Sequence, residues 1–214
     1  MQQEGFFITV EGVEGAGKST NIQVIEEFLS EKNIDYVVTR EPGGTLLAEK
    51  IRDLLLSHHE EEMEVTTELL LIFAARAQHL NTTIKPKLAE GKWVLCDRFT
   101  DATYAYQGAG RGCDSQLIGQ LESLVQGSLR PDLTVVFDLD PRIGLARASQ
   151  RGQLDRIESQ DLEFFQRVRQ AYQNIASRES ARFCVIDSSK TRENVSVILR
   201  NALQGKIKEY LNEQ

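Results

Sequence analysis

Cysteine, proline, tryptophan and long apolar runs are all scarce in this sequence. Its 214 residues include three cysteines, four prolines and one tryptophan. Cys96, Cys113 and Cys184 are odd in number and widely spaced, which argues against a disulfide framework or a zinc site and fits a reducing cytoplasm. No apolar run approaches the ~20 residues of a membrane-spanning helix, and no basic and apolar signal region begins the chain. We therefore expect a cytoplasmic protein with no membrane partner.

Positive charge is also in short supply. The chain has 25 lysines and arginines against 32 acidic residues, which gives a net charge of −7. A protein that binds a nucleic-acid polymer presents a basic face, so we expect no such partner. A small anion remains compatible with this balance, because a local arginine cluster can outweigh the global charge.

The size and apolar content of the chain suit one folded unit. Hydrophobic residues make up 41% of the sequence, a normal globular value. A chain of this length can bury the large core of one α/β domain. Since no internal repeat or low-complexity tract is present, we predict a single domain over residues 1–214.

The most informative stretch runs from Gly12 to Ser19 and has the form G-x-x-x-x-G-K-S of a phosphate-binding P-loop. It follows the apolar run Phe6–Val10 and precedes apolar residues at helical spacing from Ile22 onward, so strand, glycine turn and helix succeed one another. Successive N–H groups at the start of a helix bind phosphates. Lys18 can reach the terminal phosphates, and the Ser19 hydroxyl can ligate Mg²⁺. The predicted ATP-binding residues are Gly12, Val13, Glu14, Gly15, Ala16, Gly17, Lys18, Ser19 and Thr20.

Further strand patterns alternate with helical patterns along the chain. The additional predicted strands are Tyr36–Thr39, Trp93–Cys96, Leu133–Leu139 and Phe183–Asp187. The additional predicted helices are Leu47–Leu55, Thr67–Leu88, Ile118–Val125, Ile143–Arg151, Leu162–Ile175 and Val195–Leu211. Alternation of this kind predicts a parallel sheet of about five strands with helices on both faces.

Charged residues mark the predicted carboxyl edge of that sheet, where ligands of open α/β sheets bind. Arg40 ends the second strand and is therefore placed to meet a ligand. Asp97 ends a buried strand, the position from which a Walker-B carboxylate holds Mg²⁺. The predicted metal ligands are Ser19 and Asp97.

The helix predicted over Thr67–Leu88 carries an unusual charge. Its stretch Leu69–Ala75 is wholly apolar, which predicts burial on all sides. Arg76 follows this stretch, and it either snorkels from an edge position or binds an anion or a base. Pro86 is expected to kink or end the helix.

Two later segments have the composition of binding elements. Residues 99–112 read as a polar, aromatic and glycine-rich loop, which suits recognition of a planar base or, alternatively, packs its tyrosines on the surface. Arg147, Arg151 and Arg156 surround Gly152, which indicates a mobile cationic lid or a solvated helix end. The predicted lid spans about residues 147–158.

Five segments together resemble the thymidylate kinases of the bacterial type, with a lid arginine. The similarity runs from Phe6 to about Ile186. The segments are Glu11–Ser19, Thr39–Thr45, Phe73–Arg76, Asp97–Arg98 with Tyr106–Gly108, and Leu154–Arg156. The resemblance implies a P-loop NTPase fold of the nucleoside-monophosphate-kinase type, Mg²⁺-assisted transfer of the γ-phosphoryl group of ATP to dTMP, and a homodimer.

The resemblance also implies an acceptor site. Arg98 and Arg40 would hold the dTMP phosphate, Arg76 would donate to a thymine carbonyl, and Glu14 would meet the 3′-hydroxyl. Tyr106 would pack under the deoxyribose and disfavour a 2′-hydroxyl. The implied dTMP-binding residues are Glu14, Arg40, Arg52, Phe73, Arg76, Arg98, Thr103, Tyr106 and Gln107. The Glu41–Pro42 bond is expected to be cis.

The chain departs from the family pattern at two places. The family usually has a phenylalanine against thymine where this chain has Ile72, so either Ile72 or the adjacent Phe73 contacts the base. The lid reads Ile157-Glu158 where many relatives have Tyr-Glu.

The P-loop itself carries no arginine, because its interior positions 14 and 15 are Glu and Gly. The lid would therefore supply the arginine that stabilises the transferring phosphoryl group. The predicted catalytic residues are Lys18, Arg98, Arg151, Arg147 and Arg156. Two alternatives remain: another nucleotide or deoxynucleoside kinase, and a non-catalytic P-loop switch module. Arg40 and Arg98 favour a phosphorylated acceptor, and the chain lacks the N-K-x-D motif of guanine-binding switches.

Overall fold

A computed structural model describes residues 5–150 and 152–212. Five strands form one sheet in the order β2-β3-β1-β4-β5, and every neighbouring pair is parallel. The strands are β1 Phe7–Glu11, β2 Tyr36–Arg40, β3 Trp93–Asp97, β4 Leu133–Asp138 and β5 Phe183–Asp187. The predicted five-stranded parallel sheet is confirmed.

Helices cover both faces of this sheet. They are α1 Lys18–Glu31, α2 Leu46–Leu56, α3 Val65–His79, α4 Lys85–Ala89, α5 Thr100–Thr103, α6 Ser115–Val125, α7 Pro141–Ser149, α8 Leu162–Arg178 and α9 Arg192–Asn212. Two π-helical stretches, Leu80–Ile84 and Tyr104–Gly110, lie between α3 and α4 and directly after α5. Across residues 5–150 and 152–212, no helix is both long and apolar enough to cross a membrane.

The central strand β1 is buried on both faces, as parallel sheets require. Ile8 belongs to the larger core, which includes Leu29 of α1 and Phe165 of α8. Phe7 points to the opposite face and packs with Leu80. Full burial of one such side chain contributes roughly 1.5–3 kcal/mol. The two cores therefore stabilise the sheet and determine the position of its carboxyl edge.

The register of the strands brings the charged strand ends together. Asp97 of β3 pairs with Val10 of β1 on one side and with Arg40 of β2 on the other. The start of the P-loop, Asp97 and Arg40 therefore lie along one carboxyl edge, as the sequence predicts.

Pro86 was predicted to kink or end the helix, and the second of these alternatives is wrong because helical structure continues past Pro86. The π-helical stretch Leu80–Ile84 stands directly before α4, and Pro86 occupies one of the first positions of α4. A wider helical turn removes the clash between the proline ring and the carbonyl one turn earlier.

The stretch Leu69–Ala75 is not buried on all sides, so that prediction is wrong. Leu69, Phe73 and Ala75 are buried, whereas Leu70 is 51% exposed. Sequence apolarity alone does not reveal which face the rest of the chain covers.

Residues 99–112 are mainly helical rather than a loop. They form α5 and the π-helical stretch Tyr104–Gly110. A Cβ at Gly110 would lie 2.5 Å from the ring of Phe164 in α8. The glycine thus permits close helix packing. The glycine-rich composition of this segment does not by itself distinguish such packing from a loop.

Candidate active site

A cavity of about 1020 Å³ opens at the carboxyl edge of the sheet. Its volume is at the upper end of those typical for small-molecule sites. The predicted residues on its wall are Glu14, Gly15, Ala16, Gly17, Lys18, Ser19, Thr20, Arg52, Arg76, Asp97, Arg98, Thr103, Tyr106, Gln107, Arg147 and Arg156. Gly12, Val13, Arg40 and Phe73 are not among the lining residues, and Arg151 lies outside the described residues. The chain thus gathers most of its predicted site residues around one space.

The P-loop connects β1 to α1 through left-handed glycines. Gly12 has a φ of 135°, and a Cβ there would lie 2.5 Å from the carbonyl oxygen of Phe137. Gly17, with a φ of 89°, leads directly into α1. The ammonium group of Lys18 donates to the carbonyl oxygens of Gly12, at 3.0 Å, and Val13, at 3.1 Å. Burial, reinforced by the charge of Arg98, lowers the pKa of Lys18 to about 8. A polyphosphate in the loop would favour the charged form, since an opposite charge raises the pKa of an amine.

Arg98, the predicted ligand of the acceptor phosphate, lies on the cavity wall beside Glu14 of the P-loop. It has a φ of 69°, a left-handed conformation that is costly for a residue with a Cβ. Its Nη2 donates to Glu14 Oε1 at 2.7 Å, and its guanidinium lies 4.7 Å from the centroid of the Tyr106 ring. The Tyr106 hydroxyl donates to Glu14 Oε2 at 2.7 Å. The three side chains therefore hold one another in place, and the guanidinium group of Arg98 contacts the P-loop at Glu14.

Arg76 is a deeply buried cation of the cavity wall, with a relative exposure of 2%. Its Nε donates to Glu41 Oε2 at 2.6 Å and its Nη2 to Thr103 Oγ1 at 3.0 Å. The rings of Phe73 and Phe99 lie 4.9 and 5.1 Å from the guanidinium carbon. Nη1 is buried and has no hydrogen-bond partner among the described residues. An edge position with snorkelling is therefore wrong, and the free N–H is a donor for a ligand.

Glu41 was missing from the predicted site residues although it belongs to a recognised segment. Its Oε1 lies 3.0 Å from His79 Nδ1, while His79 Nε2 lies 2.6 Å from Thr39 Oγ1. The Glu41–Pro42 peptide bond is cis, as predicted. An acid immediately after a predicted strand, at the carboxyl edge of the sheet, was the signal that could have identified Glu41.

The structure shows which of the neighbouring candidate residues line the cavity. Ile72 lines the cavity, whereas Phe73 packs in a core cluster with Leu69. Arg52 lines the cavity and donates to the carbonyl oxygen of Pro42 at 2.8 Å. Arg40, with 52% of its side chain exposed, pairs with Glu49 at 2.7 Å.

Asp97 and Ser19 suit a hard divalent cation shared with a substrate phosphate. Asp97 Oδ1 is buried without a hydrogen-bond partner among the described residues, and both side chains line the cavity. Within the described chain, no group of three or more His, Cys, Asp or Glu residues is arranged to hold a metal. Mg²⁺ ordinarily takes one or two carboxylates plus waters and phosphates, so the residues fit this ion.

The lid segment meets the P-loop at one end and α3 at the other. A Cβ at Gly15 would lie 2.2 Å from the carbonyl oxygen of Gly144 in α7, so that helix contacts the loop directly. Arg147 Nη1 donates to the carbonyl oxygen of Gly15 at 3.2 Å. Arg156 instead pairs through Nη1 with Glu68 Oε2 at 2.7 Å. Arg147 is therefore beside the predicted phosphates, and Arg156 is on a different wall.

One wall of the cavity was missed entirely by sequence reasoning. It follows β5 and comprises Ser188, Lys190, Arg192, Glu193, Val195 and Ser196. Its position after a strand of the same parallel sheet was the available signal.

Comparisons with known proteins show which family this chain is similar to. A family model described as thymidylate kinase matches residues 10–197. A thymidylate kinase of Teredinibacter turnerae is 56% identical over 200 residues, which cover 94% of this chain and 98% of that protein. A thymidylate kinase of Pseudomonas entomophila is 60% identical over 186 residues, with coverages of 87% and 89%. The crystal structure of thymidylate kinase from Ehrlichia chaffeensis matches with a TM-score of 0.75 and 37% identity over 94% of this chain and 99% of that one.

Proposed function

The chain belongs to the thymidylate kinase family, and we propose that its own residues carry out the ATP-dependent phosphorylation of dTMP to dTDP as follows. The observation that carries this proposal is the free Nη1 of the buried Arg76, set in the same cavity as the P-loop. A carbonyl group of the thymine base accepts from that donor. The dTMP molecule then extends from Arg76 toward the P-loop, where the phosphates of ATP bind.

The donor half of the site holds ATP. Amides of the P-loop and the ammonium of Lys18 bind the β- and γ-phosphates at the start of α1. Ser19 and Asp97 would hold Mg²⁺, which would neutralise the negative charge of the phosphates. The wall after β5, which includes Arg192 and Ser196, surrounds the nucleoside end of ATP.

The acceptor half of the site orients dTMP. Arg98 binds its phosphate, because a guanidinium fork matches phosphate geometry. Arg52 lines the same space, while Arg40 approaches it only by leaving Glu49. Glu14 accepts a hydrogen bond from the 3′-hydroxyl, and Tyr106 packs against the sugar.

The thymine is held at the far end of the acceptor half. Arg76 donates from Nη1 to a base carbonyl, and Thr103 keeps the other terminal nitrogen of Arg76 in place. Gln107 faces the base edge. Ile72, on the cavity wall, supplies an apolar surface for the base face, and Phe73 supports the Arg76 guanidinium from the core.

Transfer itself requires positioning and charge neutralisation. The acceptor phosphate oxygen is already ionised, so no general base is needed. Charge that develops on the transferring group is stabilised by an arginine of the lid, residues 147–158. Arg147 stands beside Gly15 at the P-loop, and Arg151, which lies outside the described residues, follows it in the chain.

A panel of acceptors tests this function. ADP release is measured with purified protein, ATP and Mg²⁺ against dTMP, dCMP, AMP and thymidine. We expect turnover with dTMP and little with the other three. Turnover of thymidine alone would exclude a phosphorylated acceptor, and slow ATP hydrolysis that no acceptor stimulates would favour a P-loop switch module.

A homodimer is supported by an uncovered apolar face. Helices α2, α3 and α6 pack in succession and expose large apolar side chains. These are Leu46, Leu47, Leu54, Leu70 and Leu124. A second copy of the chain would cover this face. We expect sedimentation equilibrium to give a dimer that Leu70→Glu dissociates. Val197→Glu, at a similarly exposed position on α9, should leave the dimer intact. A monomeric parent protein would contradict the proposal.

A cytoplasmic location is supported by the cysteines. Cys96, Cys113 and Cys184 are all free thiols, which suits a reducing compartment. A fluorescent fusion expressed in a bacterial host should fill the cell interior, and its recovery in the periplasmic fraction would contradict this location.

A further inference from the structure

Glu68 is a buried carboxylate in the cavity wall to which the predicted chemistry assigns no role. It lies in the first turn of α3 with a relative exposure of 1%. Two arginines, Arg111 and Arg156, and the amide of Gln107 donate to it. A charge at this depth is costly unless it is paired and hydrogen-bonded, so all of its partners are held to it strongly.

The two oxygens of Glu68 face two functional parts of the site. Oε1 accepts from Gln107 Nε2 at 2.7 Å, on the side predicted to face the base. Oε2 accepts from Arg156 Nη1 at 2.7 Å, on the side of the lid. A single rigid carboxylate thus connects a base-facing residue to the lid.

The lid end of this connection is fixed at further points. Arg156 donates through Nε to the carbonyl oxygen of Leu55 at 2.8 Å, and its backbone N–H donates to Leu56 at 3.1 Å. Arg111 donates through Nη1 to Gln160 Oε1 at 2.8 Å. Residues 155–160 therefore rest on Glu68 and the end of α2 rather than on the P-loop.

The base end of the connection depends on the orientation of one amide. A carboxylate only accepts hydrogen bonds, so Glu68 selects the NH₂ end of Gln107. The carbonyl end of the amide is then left to accept from an N–H of the base. A base that binds this carbonyl oxygen in turn holds Gln107 in the orientation that Glu68 requires.

We propose that Glu68 is a positioning residue that couples occupancy of the base site to closure of the lid, through Gln107 on one side and Arg156 on the other. This inference rests on the proposed function, because it takes dTMP as the ligand of the base site. Arg156 then acts as the latch of the lid, and the transition-state charge is left to Arg147 or Arg151. Opening the lid removes Arg156 from a buried carboxylate, a cost that grows once Gln107 is fixed by the base.

Hydrogen exchange of the lid amides tests this coupling directly. Backbone exchange over residues 153–160 is compared with and without dTMP, with dTMP at saturation as established by calorimetry for each variant and with no ATP present. In the parent protein we expect dTMP to slow this exchange by about tenfold, within the usual range of coupling between sites. In Glu68→Gln at saturation, the slowing should fall to less than about twofold.

Two further variants keep the test decisive. Arg156→Gln removes the other half of the pair at a less buried position, with 14% of its side chain exposed, and should also abolish the dTMP-dependent slowing; it supplies the answer if Glu68→Gln does not fold. Glu122→Gln makes the same isosteric change at a buried glutamate that accepts from Tyr104 and pairs with Arg130 outside the cavity, and should retain the slowing.

The outcomes separate the coupling from the function on which it rests. Undiminished slowing in Glu68→Gln or Arg156→Gln overturns the coupling, and equal loss in Glu122→Gln overturns it in favour of general loosening. If the parent protein turns over dTMP but dTMP leaves lid exchange unchanged, only the coupling is wrong. If the parent protein neither binds nor turns over dTMP, the proposed function itself is wrong.

Discussion

Arg76 and Glu41 form a buried ion pair, with 2.6 Å between Nε and Oε2, that leaves Nη1 of the arginine as a free donor inside the cavity. The pair ties α3 to the residue that follows β2. It therefore orients a donor that no protein group among the described residues satisfies.

Arg76→Lys should weaken dTMP recognition while the fold survives. The lysine keeps a charge for Glu41 but loses the fork that also reaches Thr103 and the base. We expect the KM for dTMP to rise by about 10- to 100-fold, the loss of one hydrogen bond to a charged group, with the KM for ATP unchanged. Steady-state kinetics measure both, and Arg130→Lys, in a pair remote from the cavity, is the matched control. An unchanged KM for dTMP would remove Arg76 from the base site.

Arg98→Gln should impair the acceptor phosphate site. The Arg98 guanidinium pairs with Glu14 of the P-loop at 2.7 Å and binds the dTMP phosphate in the proposed function. We expect dTMP affinity, measured by calorimetry, to fall by about tenfold or more, and the affinity for thymidine to change far less because it has no phosphate. Equal losses for both ligands would show a structural defect rather than a phosphate contact.

How much of this site follows from the sequence depends on the range of the interactions. Gly12 to Ser19, Asp97 and Arg98 are predictable, because each stands at a fixed offset from a strand end. Glu68 is not, since its partners come from segments about 40 and 90 residues away and only the fold brings them together.

Surface coverage and close packing are equally invisible in the sequence. The wholly apolar stretch Leu69–Ala75 predicted burial for Leu70, but the described chain leaves Leu70 51% exposed. The glycines near Gly110 suggested a loop. Their use in close packing could not be predicted, because the approach of Phe164 to Gly110 is a tertiary contact. The composition of a segment therefore does not determine whether its side chains are buried or whether its backbone is helical, because both depend on tertiary packing.

Removal of the lid arginine should affect the chemical step. In Arg151→Ala we expect kcat to fall by about 10³-fold or more, with the dissociation constant of dTMP changed less than about twofold. Arg147→Ala is measured in parallel, because Arg147 contacts the P-loop at Gly15. Whichever variant loses kcat at unchanged dTMP affinity identifies the transition-state arginine, and Arg142→Ala, at the exposed start of α7, serves as the control. Full activity in both variants would contradict a catalytic lid.

Asp97→Asn should raise the demand for metal. Oδ1 of Asp97 is buried without a partner among the described residues, and the substitution removes its full negative charge. We expect the Mg²⁺ concentration for half-maximal activity to rise by about tenfold or more, and excess EDTA to abolish activity of the parent protein. Since Asp187 ends β5 outside the cavity lining, Asp187→Asn should leave the Mg²⁺ dependence unchanged. Parent-level Mg²⁺ dependence in Asp97→Asn would exclude this carboxylate as a ligand.

Glu11 should make the stability of the fold depend on pH. Burial, reinforced by Asp101, raises the pKa of Glu11 from 4.5 to about 8. Between these values the folded state holds the proton and the unfolded state releases it, so this group stabilises the fold fully below about pH 4.5 and progressively less up to about pH 8. The slope from this one group is at most about 1.4 kcal/mol per pH unit.

Glu11→Gln should therefore flatten the dependence and not merely lower stability. The amide resembles the protonated carboxyl, and it can still accept from the Phe99 N–H while its NH₂ donates to the Tyr172 hydroxyl. Guanidinium unfolding between pH 5.5 and 8.5 measures the free energies of unfolding of the parent protein and the variant. The difference between them should shift in favour of the variant as pH rises. The reason is that only the parent protein has a carboxyl group at position 11 that must either ionise or retain its proton in this range. A constant difference across this range would mean that Glu11 keeps one protonation state throughout and that its partners, rather than its proton, set its contribution.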